Sequence, residues 1–359
     1  MLYAYTVSGD LMRKIIHIDA DCFFAAVEMR DDPALLNAPL AIGGPANARG
    51  VIATANYAAR EYGVRSAMSS ARAVKLCPQL ILMRGNMEKY RLASRQMHAI
   101  FLDYTTQIEP LSLDEAYLDV SSCDLCHGSA TLIAEEIRQR IFQEVGITVS
   151  AGIAVNKFLA KVASDWNKPN GQYVVTPQEQ DEFVKTIPVK CIHGVGKVAQ
   201  EKLAKLNIEN CLDLQNVDFL SLSNLFGSWS YRLQQLAFGI DDRAVQTSSI
   251  RKTISVETTF SQDLENIESC QAKLPSLLVE LTKRVNNKGL TSQKGKFYLK
   301  LKFSDVQQTT IEMAYETGDE LALFSKLLLQ AYARRGLPVR LIGLGYRLKS
   351  ISSRQLSLF

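Results

Sequence analysis

The sequence contains no apolar run that approaches the roughly 20 consecutive residues of a membrane-spanning helix. Residues 1–10 have no basic segment followed by a long apolar one, so they do not resemble a secretory signal. The chain also has no internal repeat and no long low-complexity tract. We therefore expect neither a membrane span nor an export signal.

Cysteine and net charge are also scarce. Seven Cys residues, an odd number scattered over 359 positions, predict reduced thiols in the cytoplasm rather than a disulfide framework. The 41 Lys and Arg nearly balance the 37 Asp and Glu, giving a formal charge of +4. That sum neither indicates nor excludes a polyanionic partner, because the position of the charge matters more. Residues 241–359 carry +6 and residues 1–240 carry −2.

Apolar residues make up 47% of the chain, enough for sizeable cores, and the length predicts about two or three domains. Strand and helix patterns alternate from Lys14 to about Val175, which indicates an α/β block. Short helical segments follow, up to a polar stretch at Gln246–Lys252. Strands and helices after that stretch indicate an α+β layout. Among the predicted elements are strands at Lys14–Ile18, Val51–Thr54 and Val149–Val155, a hairpin at Ile108–Val120, and helices at Ala55–Tyr62, Thr131–Glu144 and Asn156–Asp165.

Acidic residues stand where two apolar strands stop. Asp19 and Asp21 close the first strand, and Asp114-Glu115 lies at the turn of the hairpin. Burying carboxylates beside apolar side chains costs energy unless a cation neutralises them. Oxygen ligands from two strands suit Mg²⁺, and two such ions can activate a hydroxyl and stabilise a leaving pyrophosphate. The alternative is that these are ordinary solvated acids at strand ends.

Two segments carry a family resemblance. Lys14-Ile-Ile-His-Ile-Asp-Ala-Asp-Cys-Phe-Phe-Ala-Ala-Val-Glu28 and Ser112-Leu-Asp-Glu-Ala-Tyr-Leu-Asp119 resemble the two acidic motifs of the Y-family translesion DNA polymerases, most closely the bacterial DNA polymerase IV branch. The resemblance runs from about Met12 to Phe359. It implies a template-directed polymerase that adds dNTPs to a primer 3′-hydroxyl with low fidelity, in translesion synthesis at damaged or stalled forks.

The resemblance also implies roles for the acids. Asp19, Asp114 and Glu115 would be the catalytic residues and would hold two Mg²⁺ ions, with the Ala20 carbonyl as an additional ligand. Asp21 would be structural, and we expect it to be the N-cap of the following helix. Asp119 would also be structural.

Further residues match motifs that contact the nucleotide. Phe24 corresponds to a steric gate that excludes the 2′-hydroxyl of a ribonucleotide by a built-in clash, whereas Phe23 is expected in the core. Tyr57 and Arg60 are three residues apart, so they share a helical face and could grip phosphate oxygens. Lys168 matches a lysine that reaches the triphosphate. Taken singly, each would be an ordinary surface residue.

The second half of the chain predicts DNA contacts. Gly194 and Gly196, followed by Lys197 and Lys202, resemble a helix-hairpin-helix whose backbone N–H groups approach phosphates; a plain helix–helix turn is the alternative. In the basic C-terminal third, the candidates for phosphate contact are Arg251, Lys252, Lys294, Lys296, Lys300 and Lys302. The final residues resemble a peptide that binds a sliding clamp, through Gln355, Leu356, Leu358 and Phe359.

The resemblance implies a multidomain α/β and α+β chain with the architecture of a right hand. It would have a ferredoxin-like palm, small fingers, a helical thumb with the helix-hairpin-helix, and an α+β little finger. We predict an N-terminal extension (1–11), palm (12–23 and 79–175), fingers (24–78), thumb (176–245), linker (246–252), little finger (253–350) and clamp-binding tail (351–359). We expect a cytoplasmic monomer whose partners are primer–template DNA, dNTPs and the sliding clamp, with no membrane.

Two other functions are compatible with parts of the pattern. A nucleotide cyclase-like enzyme could share the acidic hairpin, but it would have no use for the helix-hairpin-helix, the basic C-terminal third or the clamp-like tail. A catalytically inactive DNA-binding module would not need the complete acid set.

Overall fold

A computed structural model describes residues 12–349, and within it the chain divides into two compact units. The first unit covers residues 12–46 and 50–248. The second covers residues 249–349, together with residues 47–49. No helix in the described residues is long and apolar enough to cross a membrane.

Two sheets organise the first unit. Their strands are β1 (Ile15–Ala20), β2 (Leu40–Gly43), β3 (Ile52–Ala55), β4 (Ile81–Met83), β5 (Ile108–Pro110), β6 (Glu115–Asp119), β7 (Val149–Ala154) and β8 (Gln172–Val174). One sheet has the order β5-β6-β1-β7-β8, and the other has the order β3-β2-β4. The larger sheet is antiparallel except for the parallel pair of β7 with β8. Its central strand, β1, is β-branched and nearly fully buried, as expected for a strand covered on both faces.

Helices cover the larger sheet and continue beyond it. They are α1 (Phe23–Asp31), α2 (Tyr57–Glu61), α3 (Ser70–Leu76), α4 (Met87–Leu102), α5 (Ala130–Arg140), α6 (Lys157–Ser164), α7 (Gln180–Thr186), α8 (Lys197–Ala204), α9 (Cys211–Gln215), α10 (Phe219–Phe226) and α11 (Trp229–Ala237). A π-helical turn at Ile141–Val145 extends α5. Asparagine N-caps set several of the starting points: Asn56 accepts a hydrogen bond from Ala59 N, and Asn156 accepts one from Leu159 N.

The alternation of side chains along β1 divides its residues between two cores. Ile16 and Ile18 enter a core built with α4 and α5. Ile15 enters the core on the opposite face, which α6 contributes to. Because side chains alternate along a strand, His17 and Asp19 share the face of Ile15. The acidic strand end therefore faces the side of the sheet on which α6 packs.

The second unit is a four-stranded antiparallel sheet with helices on one face. Its elements are β9 (Thr253–Leu264), α12 (Ile267–Gln271), α13 (Leu274–Asn287), β10 (Lys294–Phe303), β11 (Gln308–Ala314), α14 (Glu320–Ala333) and β12 (Val339–Leu348), and the strand order is β11-β10-β12-β9. Strand β10 alternates buried Phe297, Leu299 and Leu301 with more exposed residues. Helices α13 and α14 pack on the buried side, which gives the α+β layout that the sequence predicts.

Candidate active site

The predicted acids meet at one end of the larger sheet. Asp19, the penultimate residue of β1, lies directly opposite Glu115, the first residue of β6. Asp114 precedes β6, and its carbonyl oxygen accepts a hydrogen bond of 2.9 Å from Ala20 N. The backbone pairing of the two strands therefore brings together the three acidic residues that the sequence singles out. Asp19 and Glu115 keep 22% and 23% of their side chains exposed, so the site is open to solvent on one side.

Two lysines neutralise the paired acids. Lys168 Nζ lies 2.9 Å from Asp19 Oδ1 and 2.8 Å from Asp165 Oδ1. Lys161, on α6, makes a close ion pair with Glu115 Oε2. The fully buried His17 is a third neighbour, with Nε2 3.3 Å from Glu115 Oε2. Each acid of the facing pair thus has its own cation.

The two facing acids differ in protonation behaviour. Burial raises the pKa of Asp19 to about 6, because the nearby Lys168 offsets only part of the cost of desolvating the carboxylate. Hydrogen bonding from His17, followed by that from Lys161, lowers the pKa of Glu115 to about 2. Burial also lowers the pKa of His17, to about 4, so its ring is neutral near pH 7. Of the facing pair, Asp19 is the acid whose negative charge is less compensated.

The donor set suits a hard divalent cation. The carboxylates of Asp19, Asp114 and Glu115 could supply oxygen ligands, and the raised pKa of Asp19 is consistent with a place for further positive charge beside it. Within residues 12–349, no three or more His, Cys, Asp or Glu side chains form a closed metal-binding cluster. Mg²⁺ does not require one, since it usually keeps several waters and takes one or two carboxylates together with substrate phosphates.

Asp21 has a different role from the predicted N-cap. The N-cap of α1 is Cys22, in a left-handed conformation with φ of 42° and without a side-chain cap. The buried Asp21 carboxylate instead accepts hydrogen bonds from Ser150 Oγ at 2.9 Å and from Asn170 N at 2.8 Å. It also accepts one from the Tyr57 hydroxyl at 3.3 Å. The N-cap prediction is wrong because the chain turns at Cys22, leaving Asp21 to join β1, β7 and α2.

Three of the residues predicted to contact the nucleotide take part in stacking contacts. The Arg60 guanidinium lies 4.7 Å from the centre of the Tyr57 ring, and Arg60 Nε donates to Ala55 O at 2.9 Å. Phe24 is half-buried and stacks on Tyr90 with ring centres 4.3 Å apart and planes 13° apart. Phe23 is 1% exposed, which confirms its place in the core. Because one face of the Phe24 ring is covered by Tyr90, the opposite face is the one left for other contacts.

The turn of the predicted helix-hairpin-helix directly precedes α8. Gly194 has φ of +101°, a conformation that favours glycine, and a Cβ there would lie 3.0 Å from the Trp229 ring. Gly196 is the N-cap of α8, and a Cβ at this position would meet nothing within 4 Å. Lys197 is exposed. Lys202 is not free, since its Nζ donates to Leu225 O at 3.0 Å.

The second unit presents only some of the predicted basic residues to solvent. Arg251 and Lys252 are exposed, and Lys296, Lys300 and Lys302 alternate with the buried residues of β10. Lys294 differs, because it is 7% exposed and its Nζ lies 2.5 Å from Glu320 Oε1. The prediction of a phosphate contact at Lys294 is therefore wrong. The predicted clamp-binding residues and residues 1–11 lie outside the described part of the chain.

Most of the sequence matches the patterns of one known protein family. The pattern of the impB/mucB/samB family matches residues 18–165, that of the family's C-terminal domain matches residues 251–358, and that of the IMS family HHH motif matches residues 177–208. The chain belongs to the impB/mucB/samB family. A DNA polymerase IV of Marinomonas sp. (strain MWYL1) is 61% identical over 96% of this chain and 98% of its own length. A DNA polymerase IV of Ectopseudomonas mendocina (strain ymp) is 55% identical over 96% of this chain and 97% of its own length.

Solved structures agree with this membership. A chimera of the Y-family DNA polymerases Dbh and Dpo4 matches with a TM-score of 0.85 and 26% identity, covering 94% of this chain and 100% of the chimera. An insertion ternary complex of Dbh DNA polymerase matches with a TM-score of 0.66 and 26% identity, covering 94% of this chain and 99% of that one. The predicted Y-family resemblance and right-hand fold class are confirmed.

Three residues of the site were not predicted from the sequence. His17 is not among the residues singled out from the sequence, yet it contacts Glu115. Lys161 and Tyr90 were not singled out as site residues, although they contact Glu115 and Phe24. The period of two along β1 was the available signal for His17, since it shares a strand face with Asp19. Nothing in the sequence near Tyr90 indicates its partner, because the contact is between distant segments.

Proposed function

We propose that this chain is a template-directed DNA polymerase that adds dNTPs to a primer 3′-hydroxyl with low fidelity, in translesion synthesis at damaged or stalled forks. One observation carries the proposal: Asp19 faces Glu115 across β1 and β6, with Asp114 next to it. Family membership over most of the chain supports the same chemistry. In the reaction, the primer 3′-oxygen bonds to the α-phosphorus of the dNTP, and pyrophosphate leaves.

The acids would hold the divalent metal that this class of enzyme needs, and we propose two Mg²⁺ ions on Asp19, Asp114 and Glu115. When bound, the ions would supply positive charge for the attacking oxygen and the leaving pyrophosphate. The chain's own contribution is mainly to position charge, as is general in phosphoryl transfer.

Three side chains are proposed to hold the triphosphate. Tyr57 and Arg60 offer a phenol donor and a guanidinium on one face of α2, stacked on each other. Lys168 can exchange its contact with Asp19 for a phosphate oxygen, since its Nζ is a flexible point charge. The single O–H of Tyr57 donates to Asp21 at the end of the acid-bearing strand, so it would have to leave Asp21 before it could donate to a phosphate oxygen.

Phe24 is proposed as the steric gate against ribonucleotides. Its stacking on Tyr90 supports this role, because a ring held on one face cannot retreat from a 2′-hydroxyl on the other. Tyr90 is in turn fixed by donating to Glu28 Oε1 at 2.7 Å.

DNA is proposed to bind through two surfaces, one in each unit. Gly194, Gly196 and Lys197 would contact phosphates in the first unit, supported by the match to a helix-hairpin-helix motif. Arg251, Lys252 and the lysines of β10 that are not buried, Lys296, Lys300 and Lys302, would do so in the second. We propose that the domains have the boundaries predicted from the sequence. Strand β4 lies in the predicted palm, but it shares a sheet with β2 and β3 of the predicted fingers.

The remaining proposals concern partners and location. Gln355, Leu356, Leu358 and Phe359 are proposed to bind a sliding clamp. We also propose that the enzyme acts as a monomer in the cytoplasm. Free thiols at all seven cysteines support a reducing compartment.

Primer extension tests the function. Wild type should extend a primer on a template in the presence of Mg²⁺ and dNTPs, whereas Asp114→Ala combined with Glu115→Ala should not. A matched control, Glu182→Gln, changes an exposed acid that pairs with Lys185 and should retain wild-type extension. If wild type does not extend, the proposed function is wrong; if the double variant extends normally, the proposed site is wrong.

A further inference from the structure

Lys161 lies between the acidic site and a large groove. Its Nζ pairs with Glu115 Oε2 and lies 3.4 Å from His17 Nε2. Lys161 also lines a cavity of ≈ 1010 Å³ beside α6. About a third of its side chain (30%) is exposed. One ammonium group therefore borders both the carboxylate and the groove.

The backbone of Lys161 is held in place by packing, whereas its side chain is partly exposed. Helix α6 packs against β1 and β7, with Gly152 beneath it. A Cβ at Gly152 would lie 2.0 Å from Ala160 O, so the helix approaches the sheet as closely as glycine allows. The neighbouring Val162 and Ala163 are buried. Any movement of the Lys161 ammonium must therefore come from rotation about the bonds of its four-carbon side chain.

The groove suits the phosphodiester backbone of one strand. The predicted helix-hairpin-helix also lines this groove, through the exposed Lys190 and through Gly194 and Gly196 just before α8. The N–H groups of Val195 and Gly196 already donate within the turn, so the N–H groups available to a phosphate are those of the first turn of α8. Asp165 also lines the groove, but its carboxylate is paired with Lys168. Lysines and backbone N–H groups at a helix start favour a phosphate, and sequence-independent contacts of this kind position a strand.

We propose that Lys161 is a positioning residue shared between Glu115 and the primer strand. With the groove empty, its ammonium is the counter-ion of Glu115. When the primer backbone fills the groove, the ammonium turns to a phosphate and leaves Glu115 free for a divalent cation. The inference rests on the proposed function, since it takes the occupant of the groove to be primer DNA.

The coupling must be reciprocal. If DNA strengthens cation binding by a given factor, the cation strengthens DNA binding by the same factor, and such factors are typically about 5- to 150-fold. Without DNA, a variant that lacks the ammonium should bind the cation as tightly as wild type does with DNA bound. The structural alternative is that Lys161 only stabilises the fold, in which case its removal would leave cation affinity unchanged.

Manganese binding tests the inference without relying on catalysis. The free Mn²⁺ signal in electron paramagnetic resonance gives the Kd of the full chain, with and without primer–template DNA whose primer has a dideoxy end. For wild type, DNA should lower the Kd about tenfold. For Lys161→Met, the Kd without DNA should already be about tenfold lower, and DNA should change it by no more than about twofold.

Two controls complete the test. Lys161→Arg keeps the charge and should retain the wild-type response to DNA, while Lys185→Met removes an exposed lysine of α7 and should also behave as wild type. The inference is overturned if Lys161→Met binds Mn²⁺ no tighter than wild type without DNA. It is equally overturned if DNA tightens Mn²⁺ binding to the same extent in both proteins. Primer extension by the same wild-type preparation tests the proposed function separately.

Discussion

Asp241 joins four segments of the first unit, and its removal should destabilise that unit measurably. Its side chain is fully buried, with Oδ1 2.5 Å from an Arg232 Nη and Oδ2 2.8 Å from an Arg243 Nη. Oδ2 also accepts a hydrogen bond of 3.1 Å from Phe158 N at the start of α6. Its carbonyl oxygen accepts another, from Arg13 at 3.1 Å. Asp241→Asn keeps the shape of this residue and removes its charge.

The expected loss of unfolding free energy follows from the pKa of Asp241. Burial would raise this pKa, but hydrogen bonds from Arg243 and Arg232 outweigh it and lower the pKa from 3.8 to about 2. A shift of this size corresponds to about 2 kcal/mol of unfolding free energy, which we reduce to about 1–2 kcal/mol because the partly exposed arginines are screened. The folded-state pKa lies below the unfolded one, so this stabilisation is complete above about pH 4 and is lost as the pH falls towards 2.

Urea unfolding followed by tryptophan fluorescence measures the effect in the correct unit, since both tryptophans, Trp166 and Trp229, belong to the first unit. Asp241→Asn should lower the free energy of unfolding by about 1–2 kcal/mol at pH 7, and the difference from wild type should shrink between pH 4 and pH 2. Glu182→Gln, at an exposed ion pair, should change it by less than about 0.5 kcal/mol. Equal stability of Asp241→Asn and wild type at pH 7, or a difference that does not depend on pH, would refute this reasoning.

Three other substitutions or deletions have definite expected outcomes. Phe24→Val should incorporate ribonucleotides into a primer that wild type extends only with dNTPs; an active variant that still excludes them contradicts the steric gate. Gly152→Ala should lower the unfolding free energy of the first unit by about 3 kcal/mol, because its Cβ would overlap Ala160 O on α6; an unchanged urea midpoint contradicts that packing. Deleting Gln355–Phe359 should preserve distributive primer extension and abolish its stimulation by the sliding clamp; unaltered stimulation contradicts the proposed tail.

Long, periodic segments were predictable from the sequence, and several of the shortest strands were not. The helix predicted at Asn156–Asp165 is α6, which is one residue shorter at each end because Asn156 and Asp165 are its caps. The hairpin predicted at Ile108–Val120 comprises β5 and β6. Strands β2, β4 and β8 escaped prediction, since three or four residues carry no usable period and gain their hydrogen bonds from distant partners.

Some residues of the candidate active site were predictable from the sequence, and others were not. The three acids were predictable because each stands where an apolar strand begins or ends, and strand pairing then brings them together. The contacts of Lys161 with Glu115 and of Tyr90 with Phe24 depend on how helices pack on sheets, which local sequence does not specify. Asp241 belongs to this second group, since its arginines act on it only in the folded unit.

The arrangement of charges in the site reconciles folding with cation binding. Like charges directly opposite each other on paired strands destabilise a sheet, and Asp19 and Glu115 are such a pair. Lys161 on α6 and Lys168 just after it offset that repulsion in the chain's own structure. The same cations must give way when a divalent metal and phosphates arrive. Flexible lysine stems meet both requirements, since an ammonium is a point charge that can turn from a carboxylate to a phosphate.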